Sequence, residues 1–192
     1  YQYKFEFVLI TISGDEDDVW NTLASQTHKV LSLPYDLIIA RQKIEETLAR
    51  YCNHLDSMTL GDLGQLFTED CVVSFGPNPD LEANGREALI ASLARLWRWH
   101  RTAHHLCNVV IRFDTTKKAT VQSRVHAWHE TSDGAEAEIF GTYKDNMVKI
   151  DDKWLINTRR MEMNGSRGIF SLPVPAAFRK PPPKDWVKPI NL

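Results

Sequence analysis

Apolar residues in the first half of the chain recur every three or four positions, a spacing typical of helices. Those between Leu37 and Leu55 predict one face of a long helix that ends near Asp56. Thr59, with Asp62 three positions later, is spaced as the N-terminal cap of a second helix. The apolar residues assigned to this second helix are Leu60, Leu63, Leu66 and Phe67.

A third helix is predicted after a short strand at residues 69–75. Asn84 and Glu87 are spaced as its N-terminal capping pair. Its apolar stripe, which would face the interior, consists of Leu89, Leu93, Leu96 and Trp97.

The second half of the chain alternates between polar and apolar residues, as strands do. Four strands are predicted at residues 106–113, 119–131, 135–150 and 154–163, separated by short polar turns. Helices followed by a meander indicate an α+β fold, with three N-terminal helices packed in a curved mixed or antiparallel sheet. Such a cone-shaped barrel has an apolar interior that can hold a small molecule.

The predicted body covers residues 36–164, with an extension at each end. Residues 1–35 form an N-terminal extension that opens with an alternating run, which we interpret as a strand rather than a signal peptide. Residues 165–192 contain most of the prolines and predict an extended arm, with Phe170, Phe178 and Trp186 as candidate anchors.

Composition and charge exclude several classes of protein. Of 192 residues, 43% are hydrophobic and 25% are charged, and the net charge of −2 has no basic stripe for a nucleic acid. No apolar run approaches the roughly 18 residues that cross a membrane. Cys52, Cys71 and Cys107 are far apart, which predicts reduced, buried thiols in a cytoplasmic protein and no structural zinc site.

Three histidines lie close together before the first long strand: His100, His104 and His105. Two of them are four residues apart, as metal ligands on a helix would be, but no HExxH motif is present and the adjacent Arg98 and Arg101 would repel a cation. We therefore predict no metal. The alternatives are surface histidines at a corner, or one general base with two bystanders.

Asp56 is the nearest carboxylate that could orient such a base. It lies at the carboxyl end of the first predicted helix, where the helix dipole disfavours a negative charge by roughly 0.3–1 kcal/mol. An Asp in that position either binds its own backbone in a turn or has a specific partner. The pattern alone leaves both interpretations open.

Four segments together resemble the SnoaL-like family of the nuclear-transport-factor-2-like superfamily. They are "IEETLARYCNHLDSMTLGDLGQLFTEDCVV", "GREAL", "TAHHLCNVV" and "GTYKD" with "KIDDKWLINTRR", within residues 37–164. This family includes scytalone dehydratase, lindane dehydrochlorinase, bile-acid dehydratase and polyketide cyclases. Leu55 stands where scytalone dehydratase has a Tyr, so scytalone itself is not the expected substrate.

The resemblance implies a catalytic pair in which Asp56 orients His104, the base that removes a proton from carbon. Strict alternation along the strand instead turns His105 inward with the apolar residues that follow. A bend in the strand would favour His104. The alignment of pocket residues also leaves Arg159 and Arg160 as alternatives.

The resemblance further implies a substrate-binding set around this pair, with no cofactor. The set is Tyr51, Trp97, His126, Tyr143 and Arg160, while His54 and His129 are assigned to the surface. For His126, a cross-strand polar pair on the solvated face is the alternative.

The expected function is that of a lyase or isomerase acting on a hydrophobic, oxygenated small molecule, such as a polyketide or terpenoid intermediate of secondary metabolism. The resemblance implies a homodimer or homotrimer, and we expect it to bind neither nucleic acid nor membrane. The rival interpretations are a binding or assembly module without chemistry, and a structural subunit like the β-subunit of a ring-hydroxylating dioxygenase.

Overall fold

The computed structural model describes the backbone of residues 16–76, 78–169 and 183–187, and their side chains except at 16–20 and 22–34. The chain divides into two units, Tyr1–Ala40 and Arg41–Leu192. The predicted N-terminal strand and most of the proline-rich arm, including Phe170 and Phe178, lie outside the described residues. Trp186 is described and is 55% exposed. The domain boundaries stay predictions.

In the ranges that the structure describes, three α-helices precede most of the sheet: α1 (Glu16–Asp56), α2 (Leu60–Gly64) and α3 (Arg86–Leu93). Helix α1 ends at Asp56 as predicted, but it begins well before Leu37. In the second unit its buried face is the predicted stripe, with Ile44, Leu48, Tyr51 and Leu55 all at most 2% exposed. In the part of the chain that the structure describes, no helix is long and apolar enough to span a bilayer.

The predicted helix caps are wrong in detail. Thr59 precedes α2 but makes no side-chain capping bond, because its hydroxyl hydrogen-bonds to Nδ1 of His54 at 2.7 Å. Gly85, with a φ of 90°, precedes α3, since Asn84 belongs to a strand. Leu66 and Phe67 lie beyond α2.

Within the described residues, six strands form one mixed sheet: β1 (Phe67–Ser74), β2 (Glu82–Asn84), β3 (Arg101–Thr115), β4 (Lys118–Glu130), β5 (Glu136–Ile150) and β6 (Lys153–Gly168). Their order is β2-β1-β6-β5-β4-β3. Strands β1 and β6 are parallel, and the other neighbours are antiparallel. The predicted α+β class is confirmed.

A change of helix type overturns the predicted orientation of Trp97. Helix α3 ends at Leu93 and continues as a 3₁₀ helix over Ala94–Arg98. With about three residues per turn, Leu96 stays on the buried face, whereas the next residue rotates outward. The Trp97 residue is 66% exposed.

Candidate active site

An irregularity in β3 decides which of the two adjacent histidines faces the interior. The pairing with β4 shifts between Cys107 and Val110, and Asn108 adopts a φ of 52°. Because this bulge adds one residue, the side-chain alternation inverts across it. His104, before the bulge, has a side chain only 6% exposed, while His105 is exposed.

The same bulge corrects another expectation. Ile111 lies after the bulge and is buried. Because the alternation inverts at the bulge, extending it backward from Ile111 placed His105 in the core, whereas the structure exposes His105. The same backward extrapolation also wrongly assigned Cys107 as a buried thiol, whereas the structure exposes it; Cys52 and Cys71 are buried and free.

Asp56 binds both the ring and the backbone of His104. Its Oδ1 lies 2.6 Å from His104 Nδ1 and accepts the Thr102 hydroxyl at 2.8 Å, and its Oδ2 accepts the His104 backbone N–H at 2.8 Å. Burial acts to raise the pKa of Asp56, but these hydrogen bonds outweigh it and hold the pKa below its usual value. In its neutral form, the His104 ring facing this carboxylate carries its proton on Nδ1, which leaves the Nε2 lone pair available.

His104 lines a cavity in the second unit, between the helices and the inner face of the sheet. The cavity volume is about 70 Å³. An engineered cavity of roughly 150 Å³ holds a benzene molecule, so this one admits a small group or several waters. The polar lining residues are Tyr51, Arg95, Arg98, His104, His129 and Tyr143.

His129 is a cavity residue that the sequence analysis assigned to the surface. It is 3% exposed, and its ring centroid lies 5.4 Å from that of His104 and 5.0 Å from that of Trp99. Burial, followed by repulsion from His104, lowers its pKa to about 4. His129 lies two residues after Ala127 and four after Val125, on the same buried face of β4. Alternation along the sequence therefore indicated that its side chain faces the interior.

Arg159, not Arg160, is the buried arginine. The β5–β6 pairing shifts where Met147 pairs with Ile156 and Asn146 with Thr158, so one extra residue on β6 inverts the alternation. Without that shift, residue 160 would share the inward face of Trp154 and Ile156. The structure instead exposes Arg160, and Arg159 is 1% exposed.

Arg159 holds two tyrosines at the cavity. Its Nε and Nη2 each donate to Asp145 at 2.8 Å, and its guanidinium lies 4.1 Å from the ring centroid of Tyr51 and 4.2 Å from that of Tyr143. The two rings meet edge to face at 6.0 Å. Burial raises the pKa of both phenols despite the adjacent cation, so both keep their protons at neutral pH.

The structure does not bring three of the predicted binding residues to the cavity. Trp97, His126 and Arg160 are absent from its lining. His126 lies on the outer face of β4, where Nε2 is 2.8 Å from Glu138 Oε2 and the ring stacks on Phe140 at 4.7 Å. This arrangement matches the alternative prediction for His126, a cross-strand polar pair on the solvated face. Across the described ranges, no three His, Cys, Asp or Glu side chains cluster as metal ligands would.

The sequence also matches a known protein family. A model of the SnoaL-like domain matches residues 37–160. The chain belongs to the SnoaL-like family. The match begins at the buried half of α1 and ends in β6, so it includes Asp56, His104 and Arg159.

Solved structures share the fold of this SnoaL-like domain. A proposed scytalone dehydratase from Novosphingobium aromaticivorans DSM 12444 is 28% identical, over 77% of this chain and 99% of that chain, with a TM-score of 0.71. A hexachlorocyclohexane dehydrochlorinase from Novosphingobium barchaimii LL02 is 17% identical, over 77% and 99%, with a TM-score of 0.64. A comparison with curated proteins gives no significant match.

A third structure of the same fold is the β-subunit of a proposed aromatic-ring-hydroxylating dioxygenase from Novosphingobium aromaticivorans DSM 12444. It is 17% identical, over 67% of this chain and 92% of that chain, with a TM-score of 0.60. The SnoaL-like fold therefore occurs in dehydratase- and dehydrochlorinase-type proteins and in a dioxygenase subunit, so a lyase-type activity is plausible but does not follow from the fold.

Proposed function

We propose that this protein is a cofactor-independent lyase or isomerase that acts on a hydrophobic, oxygenated small molecule with polyketide- or terpenoid-like chemistry. The observation that carries the proposal is the 2.6 Å contact between Asp56 Oδ1 and His104 Nδ1, on a ring that lines a cavity. It supports a base whose tautomer and orientation are preset before substrate binds.

In the proposed reaction, His104 Nε2 takes a proton from a carbon next to a carbonyl group. The electron pair of that C–H bond forms a C=C bond, and either a leaving group departs or the double bond migrates. Asp56 stabilises the imidazolium that forms, since it already accepts from Nδ1. The imidazolium then returns the proton to the leaving group or to another carbon.

The hydroxyl of Tyr51 or of Tyr143 serves as a hydrogen-bond donor to the developing enolate oxygen. Both phenols are buried and protonated, and Arg159 fixes their rings, so the donors need no reorganisation during the reaction. His129, with its pKa of about 4, is neutral at pH 7 and can hydrogen-bond to a departing hydroxyl group without repelling the imidazolium.

Exchange of a carbon-bound proton tests this proposal without knowledge of the natural substrate. The probe is β-tetralone, an apolar ketone with acidic C–H bonds, incubated in D₂O and followed by proton NMR. The wild-type protein is expected to accelerate deuterium incorporation, and His104→Gln is expected to lower the rate by at least about 100-fold. His105→Gln, a change to the exposed neighbour, is the matched control and should leave the rate unchanged.

A second candidate function is a binding or assembly role without chemistry. The observation in its favour is the cavity volume of about 70 Å³, which is below the 300–1,000 Å³ typical of small-molecule sites. If acidic ketones undergo no exchange above the buffer rate, and His104→Gln and His105→Gln behave alike, the non-catalytic function replaces the enzymatic one.

We also propose a cytoplasmic homodimer or homotrimer. Large apolar residues remain exposed on the described surface of the second unit, among them Val72 at 50% and Val110 at 62%. Sedimentation velocity gives the assembly state directly, and a concentration-independent monomer would contradict this proposal.

A further inference from the structure

The cationic lining of the cavity points to the charge of its ligand. We propose that the cavity binds an organic anion, a compound whose carboxylate is held by Arg95 and Arg98 and whose apolar body faces the interior. This inference rests on the proposed function, because it names the substrate class of the same site. It is testable by binding alone.

The lining includes two arginines and no acidic residue. Neither Arg95 nor Arg98 forms an ion pair with a carboxylate in the part of the chain that the structure describes. Other arginines do, such as Arg101 with Glu130 and Arg159 with Asp145. Asp56 adds one negative charge behind His104, so the site retains a net positive charge.

Arg95 is held in place with part of its guanidinium still available. Its Nη1 donates to the Ser92 carbonyl and, at 2.7 Å, to the Ser92 hydroxyl, and the group lies 5.3 Å from the Phe75 ring centroid. Among the described residues, none accepts a hydrogen bond from its Nε or Nη2. Burial lowers the pKa of Arg95, and the Arg98 cation lowers it further, which an anionic ligand would offset.

The Tyr51 hydroxyl supplies a second donor at the same place. It is fully buried at the cavity and makes no well-formed hydrogen bond to a described residue. Arg95 lines the same cavity as Tyr51 and Tyr143. An oxygen acceptor between the guanidinium and the phenol would satisfy both donors, and a carboxylate offers two such oxygens.

The remaining lining determines what is attached to the carboxylate. It is apolar on the helix side, with Leu93 and Leu96, and on the sheet side, with Ile139, Met161 and Met163. The volume of about 70 Å³ admits the carboxylate and a few carbons. Larger ligands require the flexible Met side chains to move, which these unbranched side chains do readily.

Benzoate and benzamide test the inference, because they have nearly the same shape and differ in charge. We measure both affinities by saturation-transfer NMR with the full chain. Benzoate should bind about tenfold more tightly than benzamide, since a charge-assisted pair outweighs a neutral one. Arg95→Gln and the rim variant Arg98→Gln should each weaken benzoate binding several-fold and leave benzamide binding unchanged.

Two controls separate this inference from the proposed function. Arg112→Gln removes an exposed arginine of β3 that is absent from the cavity lining and should change nothing. Asp56→Asn should abolish proton exchange yet keep or strengthen benzoate binding, because it removes a nearby negative charge. A benzoate preference without any exchange activity would contradict the proposed function and support the anion site.

The opposite results overturn the inference. Equal affinities for the two probes, no binding of benzoate, or a benzoate affinity that is the same in wild type, Arg95→Gln and Arg98→Gln would each exclude an anion site. Circular dichroism confirms that each variant is folded. Exchange activity on β-tetralone combined with any of these results would leave the proposed function standing with a neutral substrate.

Discussion

Replacing Asp145 by Asn tests the most buried charge pair of the domain. Both side chains of the Asp145–Arg159 pair are 0% exposed, and two hydrogen bonds of 2.8 Å join them. Asn keeps the size of the side chain but removes the charge, so the guanidinium is left buried without its counter-charge. Breaking a buried pair in this way costs about 3–5 kcal/mol.

A neighbouring pair on the same two strands provides the control. Lys144 and Glu162 are 2.7 Å apart, and their side chains are 49% and 40% exposed. Because water screens this pair, Glu162→Gln should cost less than about 1 kcal/mol. The structure therefore predicts a difference of at least about 2 kcal/mol between Asp145→Asn and Glu162→Gln.

Urea denaturation followed by circular dichroism measures both free energies of unfolding. Total stabilities of about 5–15 kcal/mol make the predicted loss easy to resolve. The double variant Asp145→Leu/Arg159→Met should recover most of the loss, since an apolar pair avoids the desolvation of two charges. Equal costs for Asp145→Asn and Glu162→Gln would refute the buried, charge-paired geometry of Arg159.

Three further predictions concern the site and its scaffold. Thr102→Val should raise the pKa of Asp56 and lower the free energy of unfolding by about 1 kcal/mol, because it removes the hydroxyl that donates to the carboxylate. Thr102→Ser keeps the hydroxyl and should change neither quantity; NMR titration measures the pKa and urea denaturation measures the stability. Asn108→Val should lower the free energy of unfolding by about 1–2 kcal/mol, because a β-branched residue is strained at the positive φ of position 108, whereas Asn108→Gly should not. An equal loss of stability in both variants would contradict the bulge. His129 has a pKa of about 4 in the folded state, below its usual 6.5, so the unfolded state binds a proton at a higher pH than the folded state does. As the pH falls from 6.5 to 4, the free energy of unfolding should therefore decrease by up to about 3 kcal/mol. His129→Gln should remove that pH dependence and the outward-facing His126→Gln should not, as urea denaturation at both pH values would reveal.

Periodicity predicted the helices and strands because it follows from burial on one face. The predicted stripe correctly ended at Asp56, although its first residue, Leu37, is 40% exposed. The four long strands were found to within five residues at each end. The starting point of α1 was missed because Pro34, a residue that usually interrupts a helix, separates the possible helix in the extension from this stripe. Trp97 was misassigned because the pattern assumed an α-helical turn where the chain forms a 3₁₀ helix.

Bulges explain the errors at the site itself. One extra residue inverts every later side chain of a strand, and no hydrophobic pattern marks where that residue lies. The bulge at Asn108 brings His104 inward, and the irregularity before Thr158 brings Arg159 inward instead of Arg160. The resemblance to the family identified His104, because it compares positions and does not depend on alternation. It misplaced the second histidine at His126, although alternation along β4 favoured His129.

The tautomer of the His104 ring is the most direct test of the proposed base. Long-range ¹H–¹⁵N NMR distinguishes a protonated ring nitrogen from a bare one. The 2.6 Å contact with Asp56 predicts that a neutral ring carries its proton on Nδ1, with a bare Nε2, and that Asp56→Asn disturbs that preference. A neutral His104 ring with its proton on Nε2 and a bare Nδ1 would contradict the proposal, because Nε2 could not then accept a proton from the substrate.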